Sequence, residues 1–501
     1  MPATSSSSSA LTPRFVTGSL MRHVTVMAGT GAVGLIAVFG VDLINLFYIS
    51  LLGHKEIAAA VGFAGVVGFF HVSLAIGLTI GIAAVVARAI GGGQARDARR
   101  LATASLTLMV AITAVVGSGT ALFLGPALEA LGAGGEVARL AQRYLAVTVH
   151  SLPLLGIGMA CAALLRAVGD ARRAMAVTLA AALVTAVLDP ILIFGFKLGL
   201  DGAAIASVVS RVVLAAVGLH GVLVRHHMLS RLDVSRLKAD AKTLMAVATP
   251  AILTNLATPV AAAFVTHSVA QFGPSAVAGA ATIDRVSPVA FGVIYALSGA
   301  VGPILSQNLG AGRMDRVREG LRASLVFMAC AVALAWAVLA LAVVPWGGGP
   351  GLLIRMFSAN ADAAELITLF CLGLAPSFFF IGALFVANAA FNNLGYPLLS
   401  TAFNWGRATL GTIPFAWWGS HHGAAGVLIG QSVGSALFGL LAIGVAWRIT
   451  GRLQSPVPLP IQSTPDEVVL DAPFNTASAH SATASLPTLN ASPGGHQAVK
   501  K

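Results

Sequence analysis

The stretch Ala186-Val-Leu-Asp-Pro-Ile-Leu-Ile-Phe-Gly195 holds a single carboxylate, Asp189, inside a run of large apolar residues. No Lys or Arg lies within a helical turn or two of that carboxylate to neutralise it. A charged side chain at the centre of a bilayer costs about 2.5–3.5 kcal/mol on insertion scales. An acid in such a place therefore predicts a functional group rather than an accident of composition.

The composition around this stretch is that of a membrane protein. The chain of 501 residues is 57% hydrophobic and only 10% charged, whereas a soluble domain is about 25% charged. Its net charge of +12 resides in short loops and forms no basic stripe interleaved with aromatic residues, which argues against nucleic acid as a partner. No phosphate-binding loop is present, and nothing in the sequence indicates an enzyme or a bound cofactor.

Twelve apolar stretches predict an all-α integral membrane protein with twelve transmembrane helices. Each stretch is about 20 residues or longer, which is enough to cross a hydrocarbon core of about 30 Å. The predicted helices lie near 24–51, 57–88, 101–125, 138–165, 172–196, 203–225, 243–270, 276–306, 320–345, 363–392, 397–419 and 424–447.

The loop charges predict the orientation and the domains. Arginines concentrate in the loops after the second, fourth, sixth and eighth helices, so the positive-inside rule predicts that both termini are cytoplasmic. We expect five parts: a flexible cytoplasmic tail (1–20), an N-lobe of six helices (21–226), a cytoplasmic connector (227–242), a C-lobe of six helices (243–450) and a disordered cytoplasmic tail (451–501).

The two halves of the chain repeat each other. Loop and helix-end motifs agree in order and spacing, so we predict two pseudo-symmetric lobes with the site between them. The matching pairs are Ile90-Gly-Gly-Gly93 with Leu309-Gly-Ala-Gly312, Leu165-Arg-Ala-Val-Gly169 with Phe391-Asn-Asn-Leu-Gly395, Asp189-Pro190 with Ile413-Pro414, and Gly202 with Gly426.

The repeat isolates two acids that belong to the first half alone. Asp42 falls opposite Ala262, and Asp189 falls opposite Ile413. In the predicted topology both acids lie in the outer halves of helices that run in the same direction, so we expect them at one depth. Two acids at one depth in a poorly solvated lobe can share a proton or a cation, with Asn45 and Thr185 as neighbouring polar groups.

These motifs resemble those of the multidrug and toxic compound extrusion (MATE) transporters, and more closely their DinF-like bacterial branch. The resemblance covers roughly residues 15–450. It is carried by Val41-Asp42, Leu51-Leu-Gly53, Leu165-Arg-Ala-Val-Gly-Asp170, Val187-Leu-Asp-Pro-Ile-Leu-Ile-Phe-Gly195, Gly202-Ala-Ala-Ile-Ala-Ser207, Gly302-Pro303, Gln307-Asn-Leu-Gly-Ala-Gly312 and Asp315-Arg-Val317.

The resemblance implies two six-helix lobes that rock about a central cleft in the bacterial inner membrane. It also implies export of amphipathic, often cationic, organic compounds in exchange for protons or sodium. Asp42 and Asp189 match the proton or cation site of that branch, Ser207 matches a hydroxyl residue, and Tyr144 matches a tyrosine. Where the branch usually has Asn one turn before the second acid, this chain has Thr185.

The remaining expectations concern the cleft and the ion. Asp284, Arg285, Phe69 and Phe379 are candidate substrate-cleft residues. We expect a proton as the coupling ion, with sodium at Asp42 and Asp189 as the alternative and no other metal. The expected partners are small organic substrates and the lipid bilayer, and the expected state is a monomer.

Two rival functions remain open on sequence alone. A lipid-linked saccharide flippase of the same superfamily needs a more cationic cleft, for which Arg211, Arg285 and Arg407 are available. A channel or a passive membrane scaffold is the rival from another class. The one-sided placement of the acids argues against a passive scaffold, which needs no such asymmetry.

Overall fold

The structure is a computed structural model that describes residues 11–51, 55–345, 350–357 and 359–453. Within these ranges it is built from helices joined by short loops and contains no strand. Long apolar helices are expected of this sequence, since a helix satisfies its backbone hydrogen bonds internally and can therefore cross lipid.

The first half of the chain forms eight α-helices. They are α1 (Leu20–Leu51), α2 (Lys55–Gly91), α3 (Ala95–Leu122), α4 (Leu124–Ala130), α5 (Gly135–Val149), α6 (Leu152–Ala167), α7 (Ala171–Pro190) and α8 (Leu200–Leu219). A π-helical turn, Ile191–Gly195, extends α7, and a second one, His220–Arg225, extends α8.

The second half forms ten α-helices. They are α9 (Val234–Ala270), α10 (Pro274–Ala290), α11 (Gly292–Gly310), α12 (Met314–Val343), α13 (Leu352–Met356), α14 (Ala361–Leu369), α15 (Phe378–Leu394), α16 (Pro397–Gly406), α17 (Ile413–Ser420) and α18 (Gly423–Arg452). A π-helical turn and a 3₁₀ turn, Phe370–Leu374 and Ala375–Ser377, join α14 to α15, and Arg407–Gly411 lies between α16 and α17.

Several of the twelve predicted passes are broken rather than straight. Nine helices of the described chain are long and apolar enough to cross a bilayer, and eleven are if two bent pairs each count as one pass. The pairs are α5 with α6, bent by 51°, and α10 with α11, bent by 46°. The remaining predicted pass, near 397–419, is divided by the π-helical turn into α16 and α17, each too short to cross alone. Prolines near these breaks remove backbone donors, a common cause of kinks.

Matched glycines confirm the internal repeat. Gly93 and Gly312 adopt φ values of 73° and 70°, and Gly169 and Gly395 adopt 79° and 96°. These are left-handed backbone conformations that favour glycine, and they end corresponding helices in the two halves. Equivalent loops therefore turn in the same way, and the chain forms two pseudo-symmetric six-helix lobes around a central cleft.

Two observations concern the predicted connector and the predicted N-terminal tail. Helix α9 begins at Val234, inside the predicted connector 227–242, because Asp233 caps it by accepting hydrogen bonds from Ser235 N (3.0 Å) and Arg236 N (3.4 Å). The described part of the predicted flexible tail 1–20 is docked: Phe15 is 2% exposed and packs in the core. Residues 1–10 and 454–501 lie outside the described ranges.

Candidate functional site

The two predicted coupling acids lie on helices that run side by side. Helix α1 packs along α7. Gly34 lies against Thr178, and further on the ring of Tyr48 meets that of Phe194 edge to face, with centroids 5.8 Å apart. The contacts follow the same order along both helices, so α1 and α7 run parallel. This pairing brings Asp42 and Asp189 to neighbouring positions, where the two carboxylates interact electrostatically.

Asp189 is the most unusual polar group in the N-lobe. Its side chain is 1% exposed, and neither carboxylate oxygen accepts a hydrogen bond from any described residue. Asn45, one turn after Asp42 on α1, also has a buried side-chain oxygen without a described partner. Buried oxygen atoms are almost always hydrogen-bonded, so unpaired ones of this kind indicate a place for a proton, a cation or water.

Thr185, Ser207 and Tyr144 lie on the helices around this pair. The hydroxyl of Thr185 donates to the carbonyl oxygen of Ala181 at 3.1 Å, so it is engaged by its own helix. The hydroxyls of Tyr144 and Ser207 lie 3.5 Å apart, joining α5 to α8. The structure thus brings Tyr144 and Ser207 together, while no hydrogen bond of the described chain links either of them to Asp189.

A cavity of about 320 Å³ opens in the C-lobe and faces the cleft between the lobes. Its wall is rich in side-chain amides and includes Asp284, Arg407, Tyr295, Phe378, Phe385, Asn388, Asn392, Asn404 and Gln431. Of the predicted cleft residues, Asp284 lines it, whereas Arg285, Phe69 and Phe379 are not among its lining residues. Phe378 occupies the wall instead of Phe379, which packs against the core of the C-lobe.

A second cavity of about 250 Å³ adjoins the first on the N-lobe side. Ile80, Tyr295 and Ser298 line both cavities, so the two form one central cleft. Arg166 of α6 lines the second cavity. Sequence reasoning missed Arg166 as a site residue, although the repeat puts it opposite Asn392, and both positions line the cleft. The sequence signal that could have identified Arg166 is that both matched positions of the repeat, 166 and 392, hold a polar residue.

The cleft is closed at one end of the molecule. Gln307 Nε2 donates to the carbonyl oxygen of Ala167 at 2.7 Å, and Arg88 Nη2 donates to that of Asn393 at 3.0 Å. Both bonds join the N-lobe to the C-lobe. Asn393 also lines the second cavity, so this network forms the cavity floor. The loops 92–94 and 311–313 lie at the same end, since Gly92 lies against Gly310, and Arg96 and Arg313 make this end basic.

The N-terminal segment, residues 11–19, reinforces this closure. Phe15 N donates to Gln307 Oε1 at 3.0 Å, and the carbonyl oxygen of Phe15 accepts from Asn308 Nδ2 and Arg316 Nη2, each at 3.1 Å. The ring of Phe15 lies against Gly169 of the N-lobe. The segment therefore contacts both lobes where they meet.

Arg211, one of the arginines that left the flippase alternative open, has a structural position. Its Nη1 donates to the carbonyl oxygen of Thr148 at 2.6 Å and to Ser151 Oγ at 2.8 Å. Both acceptors lie at the break between α5 and α6, where the interrupted helix leaves backbone oxygens without helical partners. Arg211 therefore stabilises a kink rather than lining the cleft.

Comparison with known proteins identifies the family to which the chain is similar. The MatE family model matches residues 32–191 and 250–418, one stretch in each lobe. The chain is 31% identical to the FAD transporter of Shewanella oneidensis over 424 residues, which cover 83% of this chain and 92% of that protein. It is 24% identical to the multidrug export protein MepA of Staphylococcus aureus, over 58% of this chain and 66% of that protein.

A solved structure shows the same architecture. The crystal structure of a MATE transporter of Vibrio cholerae, VcmN, superposes with a TM-score of 0.80 and 25% sequence identity. The match covers 86% of this chain and 97% of that one.

Proposed function

Because the chain belongs to the MATE family, whose matched members are transporters, we propose that it is a secondary active exporter of organic compounds. It is a multi-pass membrane protein and not an enzyme. In the proposed mechanism, inward flow of protons drives export, and sodium is the alternative coupling ion. Two lobes rock about the cleft, and the coupling ion binds at Asp42 and Asp189, as in the DinF-like branch.

One observation carries the coupling assignment: the carboxylate of Asp189 is buried beside Asp42 and lacks a hydrogen-bond donor in the described chain. A buried carboxylate without a donor, next to a second carboxylate on α1, cannot remain charged at low cost unless a proton or a cation neutralises it. Binding one proton removes one charge and supplies a donor between the acids. Asn45 adds an amide oxygen, which is a good ligand for a hard cation such as sodium.

The closed end supports an alternating-access cycle. We propose that this end is cytoplasmic, because the basic loops lie there and the positive-inside rule favours that side. Both termini are then cytoplasmic in the bacterial inner membrane, and the cleft faces outward. Proton binding at Asp189 and Asp42 favours the switch to the inward-facing state, in which the network around Gln307 and Arg88 has parted.

The relatives suggest two substrate classes. The name of MepA points to drugs, which agrees with the amphipathic compounds expected from the sequence. The name of the Shewanella protein points to a flavin dinucleotide as the second candidate. The charges in the cleft favour this second class, because two arginines and a single carboxylate are found among the residues that line the two cavities.

The coupling assignment is tested by transport in proteoliposomes under separate proton and sodium gradients. Asp42→Asn and Asp189→Asn remove the titrating groups while keeping their size. We expect each to reduce gradient-driven export of ethidium or FAD at least about tenfold, in line with the loss of an essential proton-transfer group. Glu129→Gln, which changes an exposed acid of the same lobe, is the matched control.

Two other outcomes are decisive. Wild-type rates in both Asn variants under every gradient contradict the coupling assignment. If export responds to a sodium gradient and not to a proton gradient, the coupling ion is sodium, and the assignment of the site to Asp42 and Asp189 stands.

A further inference from the structure

Two arginines of the cleft have no carboxylate partner among the described residues. Arg166 lines the N-lobe cavity, and Arg407 lines the C-lobe cavity. The Nε atom of each is fully buried and has no hydrogen-bond partner within the described chain. Neither guanidinium forms an ion pair with any described carboxylate.

Such an arrangement is costly, and other buried arginines of the described residues avoid it. A buried charge without a partner costs several kcal/mol, so proteins pair or hydrogen-bond buried arginines. Arg211 follows the rule through Thr148 and Ser151, and Arg88 follows it through Asn393. Both exceptions line the cleft, which is where a ligand provides the missing partner.

One face of α11 links the two guanidinium groups. Tyr295 lines both cavities, and it lies near Arg407 in the first of them. Gly299, one turn later on the same face, lies beside Arg166, whose Nε would be 3.6 Å from a Cβ placed there. Residues four apart on a helix lie about 5–6 Å from each other. The two arginines therefore approach neighbouring positions of one helix from opposite lobes.

The rest of the C-lobe cavity fits a polar aromatic compound. Asn392 is 4% exposed, and its side-chain oxygen is one of the unpaired buried acceptors of the described residues. Asn388 and Asn404 are hydrogen-bonded to each other at 3.0 Å and present further amide groups. Tyr295 and Phe385, whose centroids lie 5.4 Å apart, provide aromatic surface.

Asp284 is the carboxylate of this cavity and bears on the charge argument. It lies near Tyr295, yet it forms no ion pair with Arg407, so it leaves that guanidinium available. A carboxylate beside amide groups accepts hydrogen bonds from ring N–H or amino groups. The wall thus offers cations for an anionic group and acceptors for a nitrogen-containing ring.

We propose that the cleft binds organic phosphates: an aromatic compound carrying a phosphate or pyrophosphate, with the anionic group held between Arg166 and Arg407 and the ring against the C-lobe wall. Arginine matches the geometry of phosphate oxygens through paired N–H donors, and two arginines match two negative charges. The inference rests on the proposed export function and names its substrate class. Pyrophosphate occurs both in soluble dinucleotides and in lipid-linked compounds, and the test separates these sources.

The test measures binding to the full-length protein in detergent, which needs no gradient. Flavin fluorescence anisotropy follows FAD, FMN and riboflavin, which share a ring and differ in phosphate. We expect FAD and FMN to bind at least about tenfold more tightly than riboflavin, because charge-assisted hydrogen bonds are lost without phosphate. Inorganic pyrophosphate competes with FAD and does not displace ethidium. FAD binding tighter than that of geranyl pyrophosphate, which has no ring, supports a soluble aromatic substrate. The reverse overturns the aromatic part of the proposal and identifies a lipid-linked pyrophosphate.

Variants assign the binding to the two arginines. Arg407→Gln and Arg166→Gln each weaken FAD binding about tenfold or more and leave riboflavin binding within about twofold. Arg407→Lys restores part of the loss because it keeps the charge. Arg322→Gln removes an exposed arginine of α12 and is the matched control. Monodisperse elution and an unchanged unfolding temperature establish that each variant is folded.

The result that overturns the inference is equal affinity for FAD and riboflavin, or unchanged FAD affinity in both Gln variants. Failure of the proposed function is a separate outcome. If Asp42→Asn and Asp189→Asn transport FAD normally while the arginine variants lose FAD binding, the coupling site is wrong and the phosphate site stands. If the arginine variants bind FAD normally while the Asn variants lose coupling, the phosphate site is wrong and the coupling site stands.

Discussion

Asp170 and Asp189 show how one residue type takes two roles in the same lobe. Asp170 caps α7 by accepting from Arg173 N at 3.2 Å, and its Oδ2 accepts from His226 Nε2 at 2.8 Å and pairs with the Arg173 guanidinium. Burial alone would raise the pKa of Asp170, but these hydrogen bonds hold that pKa well below its usual range. Asp189 has no such donors among the described residues. The first acid is structural, and the lack of donors around the second is what the proposed coupling role rests on.

Replacement of Asp170 tests the structural role at the residue scale. Asp170→Ala removes a helix cap and a charge-assisted hydrogen bond, so we expect a loss of about 1–3 kcal/mol in the free energy of unfolding. Asp170→Asn keeps a capping oxygen and costs less. Thermal unfolding in detergent micelles measures both changes.

The pH dependence of that loss has a definite sign. The lowered pKa of Asp170 means that its charge stabilises the folded state above the unfolded value of about 3.9. The difference between wild type and Asp170→Ala is then fully present at pH 5 and shrinks as the pH falls below about 4. A difference that grows as the pH falls below about 4 contradicts the assigned role of the carboxylate.

At the scale of elements, glycines decide where the lobes touch. Gly91 of α2 lies so close to α11 that a Cβ would be 2.1 Å from the carbonyl oxygen of Gln307. Gly310 of α11 is in equally close contact with the carbonyl oxygen of Arg88. The two helices therefore meet backbone to backbone at the closed end, and in the proposed cycle each glycine marks a contact that parts.

Substitution at this crossing is expected to open the closed end. Gly91→Ala places a methyl group where α11 already lies, so it favours the state in which α2 and α11 are apart. A cysteine introduced near position 92 then reacts several-fold faster than in the parent protein with a membrane-impermeant thiol reagent added on the side of the basic loops. Gly119→Ala on α3 meets no atom within 4 Å and is the control, with unchanged reactivity. Slower labelling in Gly91→Ala contradicts the assignment.

At the scale of the whole molecule, the two lobes are held together at one end by residues from three separate parts of the chain. Gln307 of the C-lobe accepts from Phe15 N and donates to the carbonyl oxygen of Ala167 in the N-lobe. Arg316 binds the carbonyl oxygens of Phe15 and Gly18. The N-terminal segment is thus part of the closed end, and the proposed alternating-access cycle requires its contacts to break.

Removal of the Phe15 ring is expected to weaken closure. Phe15→Ala deletes a side chain that is 2% exposed, and burial of a phenylalanine is worth about 3–5 kcal/mol in a packed core. We expect a larger inward-facing population, measured as a shift in spin-label distances between α2 and α11. Phe123→Ala, which removes a ring that is 67% exposed, serves as the control. An unchanged distance distribution in Phe15→Ala rules out the closing role of this segment.

The helical membrane fold, the internal repeat and the family could all be predicted from the amino-acid sequence, because apolar run length, glycine turns and loop charges are local properties of the chain. The sequence also singled out Asp42 and Asp189, since an acid in an apolar run is visible without any neighbour. The sequence did not predict the π-helical turn at Arg407 or the docking of Phe15, because both depend on how the transmembrane helices pack against each other. Only the tertiary structure placed the unpaired guanidinium groups of Arg166 and Arg407 in one cleft, because whether a charge has a partner is decided by residues far apart in sequence.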